Sequence, residues 1–302
     1  MGIINQLWSD LDIGWWNAGL ASAAALLVGW TVIRAPRTAA TEGAKFAAKH
    51  SAYVDVAFVR QFDSVSVRER RRTYLTRSVP FVLILLVLND VTIALMPGLL
   101  ALSMATENVL RLRRIGSEFD AVAPPHGLAR ARAVGIRDYI GPAGIACWLA
   151  VAFVAVTVCI GFAVAVVRHG FTPLLLADLL SAAALGILAL TLPLCSWVIV
   201  GRPERSEDAA HLYLQDAWRA NLLREATLAA LLPALYFMIT VPETRGFPVV
   251  LGVVAAGALG FCLLSSTFLG DKNLHFRKRL WPTLKPGQVL MPGDSVPAGA
   301  PA

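Results

Sequence analysis

The chain has 302 residues, of which 57% are hydrophobic and 16% charged, with a mean hydropathy of +0.63, a formal charge of +7 and a pI near 9.6. Soluble domains carry about 25% charged residues, and of the 47 charged residues here only Asp90 and Asp178 fall inside long apolar stretches. That partition excludes an ordinary soluble globule and is what separate hydrocarbon and water environments impose. The predicted class is all-α: a polytopic transmembrane helix bundle with five clear spans and one hairpin, six to seven membrane helices in all.

Residues 1–16 contain no Lys or Arg, so the basic start of a secretory signal peptide is missing and an external N-terminal segment is expected. Trp8, Trp15 and Trp16 precede the first span, 17–33, where indole rings favour the headgroup layer. Arg34 and Arg37 follow it, which makes it a retained anchor. The basic segment 34–78 reads as cytoplasmic, with helical and amphipathic patterning from TEGAKFAAKH onward.

The next apolar stretch, 79–105, decides the topology. It carries Asn89 and Asp90 in its middle and then Met96, Pro97 and Gly98, a turn-like triplet. It either crosses once or returns as a hairpin, with arms 79–95 and 99–112. Four further clear spans follow at 143–167, 173–200, 226–241 and 247–269. Together with 17–33 they form a bundle over 17–270.

Lys and Arg in short loops resist translocation, whereas acidic residues count little. If 79–105 returns, the basic segments 34–78, 106–142, 201–225 and 271–302 share one side and hold 25 of the 27 basic residues, against 2 on the other. If it crosses once, the partition is 12 against 15. The first is far more biased, so the expected arrangement is a returning hairpin, N-terminus outside and C-terminus in the cytoplasm, in the cytoplasmic membrane. The 22 arginines against 5 lysines hint at a GC-rich, bacterial coding genome.

Each apolar hairpin is preceded by an Arg-bearing segment: VRERRRTYLTRSV, GLARARAVGIRDYI and LYLQDAWRANLLREA. Their mixed basic and apolar spacing suggests short amphipathic helices on the inner leaflet. Within the spans, Ala21/Ala25/Gly29, Asp178/Ala182/Gly186 and Gly252/Ala256/Gly260 form small-residue ridges that mark helix contact faces and allow a homo-oligomer or a membrane-protein partner.

Two candidate sites emerge. Asn89, Asp90 and Asp178 form a candidate intramembrane polar site, since a carboxylate at mid-bilayer costs about 2.5–3.5 kcal/mol and is seldom idle. Counted from the start of its apolar stretch, Asp90 lies about 16 Å deep, whereas Asp178 reads as reaching the outer interface. Arg277, Lys278 and Arg279 beside Trp281 form a candidate contact for anionic lipids at the cytoplasmic face. The tail beyond about 282 is rich in Pro and Gly and is expected to be disordered.

Chemistry-bearing motifs are missing. Cys147, Cys159, Cys195 and Cys262 all lie in apolar spans with no CxxC pair, and the five histidines are scattered. There is no P-loop, dinucleotide fingerprint, HExxH or nucleophile elbow. No metal, cofactor or catalytic residue is therefore expected. The positive charge hugs span ends, which insertion topology explains, so nucleic acid is not the expected partner. The sequence leaves a non-catalytic membrane-complex subunit or scaffold as the first reading. A permease or carrier for a small solute or lipid stands close behind it, and a lipid-modifying enzyme further back.

Overall fold

The computed structural model describes residues 42–53, 90–120, 134–202, 209–240, 275–285 and 287–292, with two isolated helical positions at Gly257 and Gly260. The expected spans 17–33 and 247–269, the stretch 79–88, Asn89 and Cys262 lie outside them. Seven helices are described: α1 (Glu42–His50), α2 (Asp90–Asp120), α3 (Ile136–Tyr139), α4 (Pro142–His169), α5 (Pro173–Gly201), α6 (Ala209–Thr240) and α7 (His275–Leu280). Among the described residues there is no strand.

The α4–α5 hairpin is written in its end residues. Pro142 and Pro173 open the two helices, where a missing N–H costs nothing and φ is already helical. Thr172 caps α5 by accepting a hydrogen bond from the Leu175 N–H at 3.2 Å. Gly170 ends α4 with φ +74°, and its N–H donates to the Val166 carbonyl at 2.9 Å. The two helices therefore run antiparallel across a three-residue connection.

Contacts fix the other directions. Ala94 of α2 meets Ser181 of α5, and Leu112 further along α2 meets Arg202 at the end of α5, so these two helices run parallel. Trp148 of α4 donates to Thr227 of α6 at 2.8 Å, and Phe162 meets Phe237 edge-on at 5.9 Å, so α4 and α6 are parallel as well. The result is a four-helix bundle, α2 and α5 pointing one way and α4 and α6 the other. Its core holds Ala101, Met104, Val151, Val158, Phe162, Leu185, Leu188, Leu231 and Phe237.

The end of the bundle reached by the C-termini of α2 and α5 carries a second core, the head. The N-terminal half of α6 runs through it, and α1, α3, α7 and the tail pack around that half, with Phe46, Tyr139, Tyr213, Leu223, Phe276, Trp281 and Leu290 buried.

Among the described residues, two helices are long and apolar enough to cross a membrane: α4 over Pro142–Arg168, with a mean hydropathy of 2.8, and α5 over Pro173–Gly201, with 2.2. At 1.5 Å per residue each is about 40 Å long, against a hydrocarbon core of about 30 Å. Both are apolar on every side. Leu149, Phe153, Val156, Ile160 and Val167 line the exposed face of α4, and Leu180, Ile187, Leu190, Leu194 and Trp197 that of α5. A helix buried in a soluble core would not leave such a stripe uncovered.

Three expectations are corrected. Met96, Pro97 and Gly98 form no turn. They lie inside the continuous helix α2, so the two arms expected at 79–95 and 99–112 do not meet there. Around Pro97 the helix packs closely on α5: the Ser181 hydroxyl donates to the Ala94 carbonyl at 2.7 Å, and Gly98 brings the α2 backbone against α5. Second, LYLQDAWRANLLREA is not a surface helix: it is the first half of α6, buried on nearly all sides, because α1, α3 and α7 cover what a leaflet was expected to cover. Third, the described part of the tail beyond 282, up to 292, is packed, as Leu284 and Leu290 are buried in the head.

The small-residue ridge on α5 divides. Ala182 is sealed, whereas a Cβ at Gly186 would meet nothing within 4 Å. At Gly98 a Cβ would lie 2.6 Å from the Ser181 Cα, which is backbone and cannot yield without moving a helix. Gly98→Ala is therefore expected to cost about 1–3 kcal/mol by overpacking. Gly186→Ala is expected to be neutral or to stabilise by up to about 1 kcal/mol. Thermal unfolding in detergent checks the pair, and equal effects at both positions would contradict the close α2–α5 approach.

Candidate functional site

Two of the polar candidates, Asp90 and Asp178, fall toward the same end of the α2–α5 pair. Asp178 sits three residues before Ser181, facing into the bundle with 1% of its surface exposed. Asp90 is the first residue of α2, four before Ala94. Since Ala94 and Ser181 touch, both aspartate positions fall about one turn nearer the same end of the parallel pair. The two sequence-predicted positions thus share one end of the helix pair.

Their depth differs from the sequence-based count. Ser181 lies eight residues beyond Pro173, about 12 Å along α5, which puts the Asp90 backbone only about 6 Å from the level of that helix start. The neighbouring helix sets this level, not the boundary of the apolar stretch at 79. Asp178, for its part, is sealed by helix packing where exposure at an interface was expected.

The head holds a denser constellation, centred on Asp216 of α6, which is 0% exposed. Its Oδ1 accepts from the Tyr139 hydroxyl at 2.8 Å and its Oδ2 from the Trp281 indole N–H at 2.7 Å. One turn away, the Tyr213 hydroxyl donates to the His50 carbonyl at 2.7 Å. A single row of α6 side chains therefore ties α1, α3 and the tail together. Gly135 and Asp138 set Tyr139 in place, as the Gly135 N–H donates to the Asp138 carboxylate at 2.9 Å at the start of α3. Burial pushes the Tyr213 phenol up to about 12, the Arg277 guanidinium pulls it back, and Asp216 adds to the rise. The phenol accordingly stays protonated throughout the physiological range.

Arg277 is where the sequence reading and the structure part most clearly. Its guanidinium is buried: Nη1 donates to the Tyr213 hydroxyl at 3.4 Å, and Nη2 donates to the carbonyls of Lys285 and, at 3.1 Å, Gln288. It also stands over the Tyr213 ring, 5.8 Å from the centroid. Trp281 is 1% exposed, in edge contact with Tyr213 at 5.4 Å. Arg277 and Trp281 are therefore not available to lipid as expected. They staple the tail into the head, and only Lys278 and Arg279 of that set point outward. The helical period explains the division, since Phe276, Arg277 and Leu280 share the inner face of α7, and Trp281 follows directly after it.

Sequence reasoning missed Asp216, Tyr139 and Tyr213. The signal was a lone acid inside the apolar run LYLQDAW, in which Leu212, Tyr213, Leu214, Ala217 and Trp218 surround the helix on every side. Its donors, Tyr139 and Trp281, come from 77 and 65 residues away, and no local pattern announces them.

Such an arrangement positions, but it does not present. Asp216 is closed to solvent and accepts from two neutral donors, so it does not face an external substrate. Among the described residues no three His, Cys, Asp or Glu side chains gather as a metal site. Comparison with family models, curated proteins and solved structures finds no match. The class that the described residues define is all-helical, with two helices among them long and apolar enough to cross a membrane.

Proposed function

We propose that the chain is a multi-pass protein of the cytoplasmic membrane, in which a bundle in the bilayer carries a folded head on the cytoplasmic side, and that it serves as a non-catalytic subunit or scaffold of a membrane complex. The observation that carries this reading is the closed network around Asp216: its polar groups are used to hold α1, α3, α6 and the tail to one another. A catalytic centre keeps a group open to substrate, whereas a scaffold needs a rigid interior tied together by its polar groups.

The membrane location is supported by the exposed apolar stripes of α4 and α5. Orientation is supported by the basic partition, because the head gathers elements of the segments that hold 25 of the 27 basic residues. A carrier for a small solute or lipid is the second reading. It is favoured by Asp90 and Asp178 falling at the same end of two parallel helices.

Purification of the full chain in mild detergent, with mass spectrometry of everything retained, separates the two. The scaffold reading expects one protein partner at fixed stoichiometry, and Asp178→Asn leaving that association intact. A chain that purifies alone, with a solute-dependent stabilisation that Asp178→Asn abolishes, would replace the scaffold with the carrier.

A further inference from the structure

Two basic segments far apart in the sequence meet where α4 leaves the head. Arg137 lies on α3, directly ahead of α4, and Lys278 and Arg279 lie on α7. The His275 Nε2–H at the start of α7 donates to the Arg137 carbonyl at 3.0 Å, across 138 residues of chain. A Cβ added to Gly141 would stand 3.6 Å from the other ring nitrogen, so the start of α7 is seated against the first residues of α4. Lys278 and Arg279 follow His275 by three and four residues and therefore share its side of α7. Both are exposed, as is Arg137.

The cluster carries charge of one sign. Asp138 is the only carboxylate on α3 or α7, and it is buried, accepting from the Gly135 N–H at 2.9 Å. Asp216, on which Tyr139 and Trp281 close, is buried as well. Both acids are turned inward, so neither neutralises the three exposed cations. The outward direction of Lys278 and Arg279 is fixed by the packing behind them. Arg277 and, just past the helix, Trp281 hold the other side of α7 in the head.

The position of the cluster suits one partner. α4 begins at Pro142, and its first large exposed apolar side chain, Leu149, comes seven residues later, about 10 Å along the axis. A headgroup layer is about 5–8 Å thick on each side of the hydrocarbon, and the field of an anionic surface extends about 8 Å beyond it at physiological salt. Arg137, Lys278 and Arg279 fall in that zone, on side chains long enough to reach toward the surface. We propose that the α3–α7 junction docks on anionic phospholipid headgroups of the cytoplasmic leaflet, where α4 enters the bilayer, with Arg137, Lys278 and Arg279 as the contacts. The assignment rests on the membrane reading above. It revises the lipid contact expected from the sequence, since Arg137 takes the place of Arg277 and Trp281, which are internal.

The test uses the full chain in detergent micelles that hold equal amounts of phosphatidylglycerol and phosphatidylcholine, with bound lipids counted by native mass spectrometry. The wild type is expected to retain phosphatidylglycerol preferentially, and to lose the preference at about 1 M salt, where the Debye length falls to about 3 Å. Each basic residue at such a surface strengthens binding about fivefold. Arg137→Gln alone is therefore expected to cut the preference about fivefold. Arg137→Gln, Lys278→Gln and Arg279→Gln together are expected to cut it by up to about a hundredfold and to leave the unfolding temperature unchanged, because all three side chains are exposed. Equal retention of the two lipids by the wild type, or an undiminished preference in the triple variant, would overturn the proposal. Loss of a co-purifying acidic protein from the triple variant, with the lipid preference kept, would assign the patch to protein docking instead. A lowered unfolding temperature of the triple variant in lipid-free detergent would assign the residues to structure and equally overturn it. Failure of the membrane reading shows separately, as release of the native chain from membranes by alkaline carbonate.

Discussion

Asp216→Ala is expected to destabilise the protein by about 3–5 kcal/mol, because it leaves the Tyr139 hydroxyl and the Trp281 indole N–H buried without an acceptor at about 1–3 kcal/mol each, and opens a void where a fully buried side chain stood. Asp216→Asn is the discriminating control. One amide oxygen can still accept, but the NH2 group then faces a second donor, so an intermediate loss is expected. The measurement is thermal or denaturant unfolding in a fixed detergent, read by tryptophan fluorescence. If Asp216→Ala unfolds at the wild-type midpoint, the network is not what holds the head, and the argument for a closed, structural interior loses its support.

Trp281→Ala is expected to cost a comparable ~3–5 kcal/mol, the usual range for truncating a buried Trp in a packed core. Its particular consequence is local. The indole packs edge-on to Tyr213 and donates to Asp216, so its loss should release the tail from α6, with Leu284 and Leu290 following. Limited proteolysis is expected to cut between 282 and 291 in the variant and to spare the wild type. Because the two substitutions remove the same hydrogen bond, their effects should not add. A double-mutant cycle is expected to return a coupling between about 0.5 and 3 kcal/mol, and strict additivity would contradict the Asp216–Trp281 contact.

What was legible in the sequence follows from range. The α4–α5 hairpin was readable almost to the residue, because its signals are local: Pro142 and Pro173 at helix starts, Gly170 at a helix end, and between them runs too apolar for water. Pro97–Gly98 misled for the complementary reason. The pair reads as a turn by itself, and only the backbone of Ser181, far along the chain, shows that it serves a close helix crossing. The head was illegible in the same way. Arg277 beside Phe276 and Trp281 has the composition of a lipid-facing flank, and nothing nearby in sequence reveals that Tyr213 and the Lys285 and Gln288 carbonyls take up its charge. Asp178 was found because a carboxylate in an apolar run stands out. Asp216 stood in a run with enough basic neighbours to pass for a surface helix.

The central claim is a bundle in the bilayer with its head on the cytoplasmic side, and the two ends of α5 offer the most direct measurement of it. Phe171, in the α4–α5 connection, and Val289, in the tail of the head, are both exposed. In a background with the native cysteines replaced by serine or alanine, single cysteines at these positions would be challenged in intact cells with a membrane-impermeant thiol reagent. The account predicts labelling of Phe171→Cys, and none of Val289→Cys until the membrane is permeabilised. Labelling of Val289→Cys in intact cells, or protection of both positions before permeabilisation followed by reaction of both after it, would contradict it.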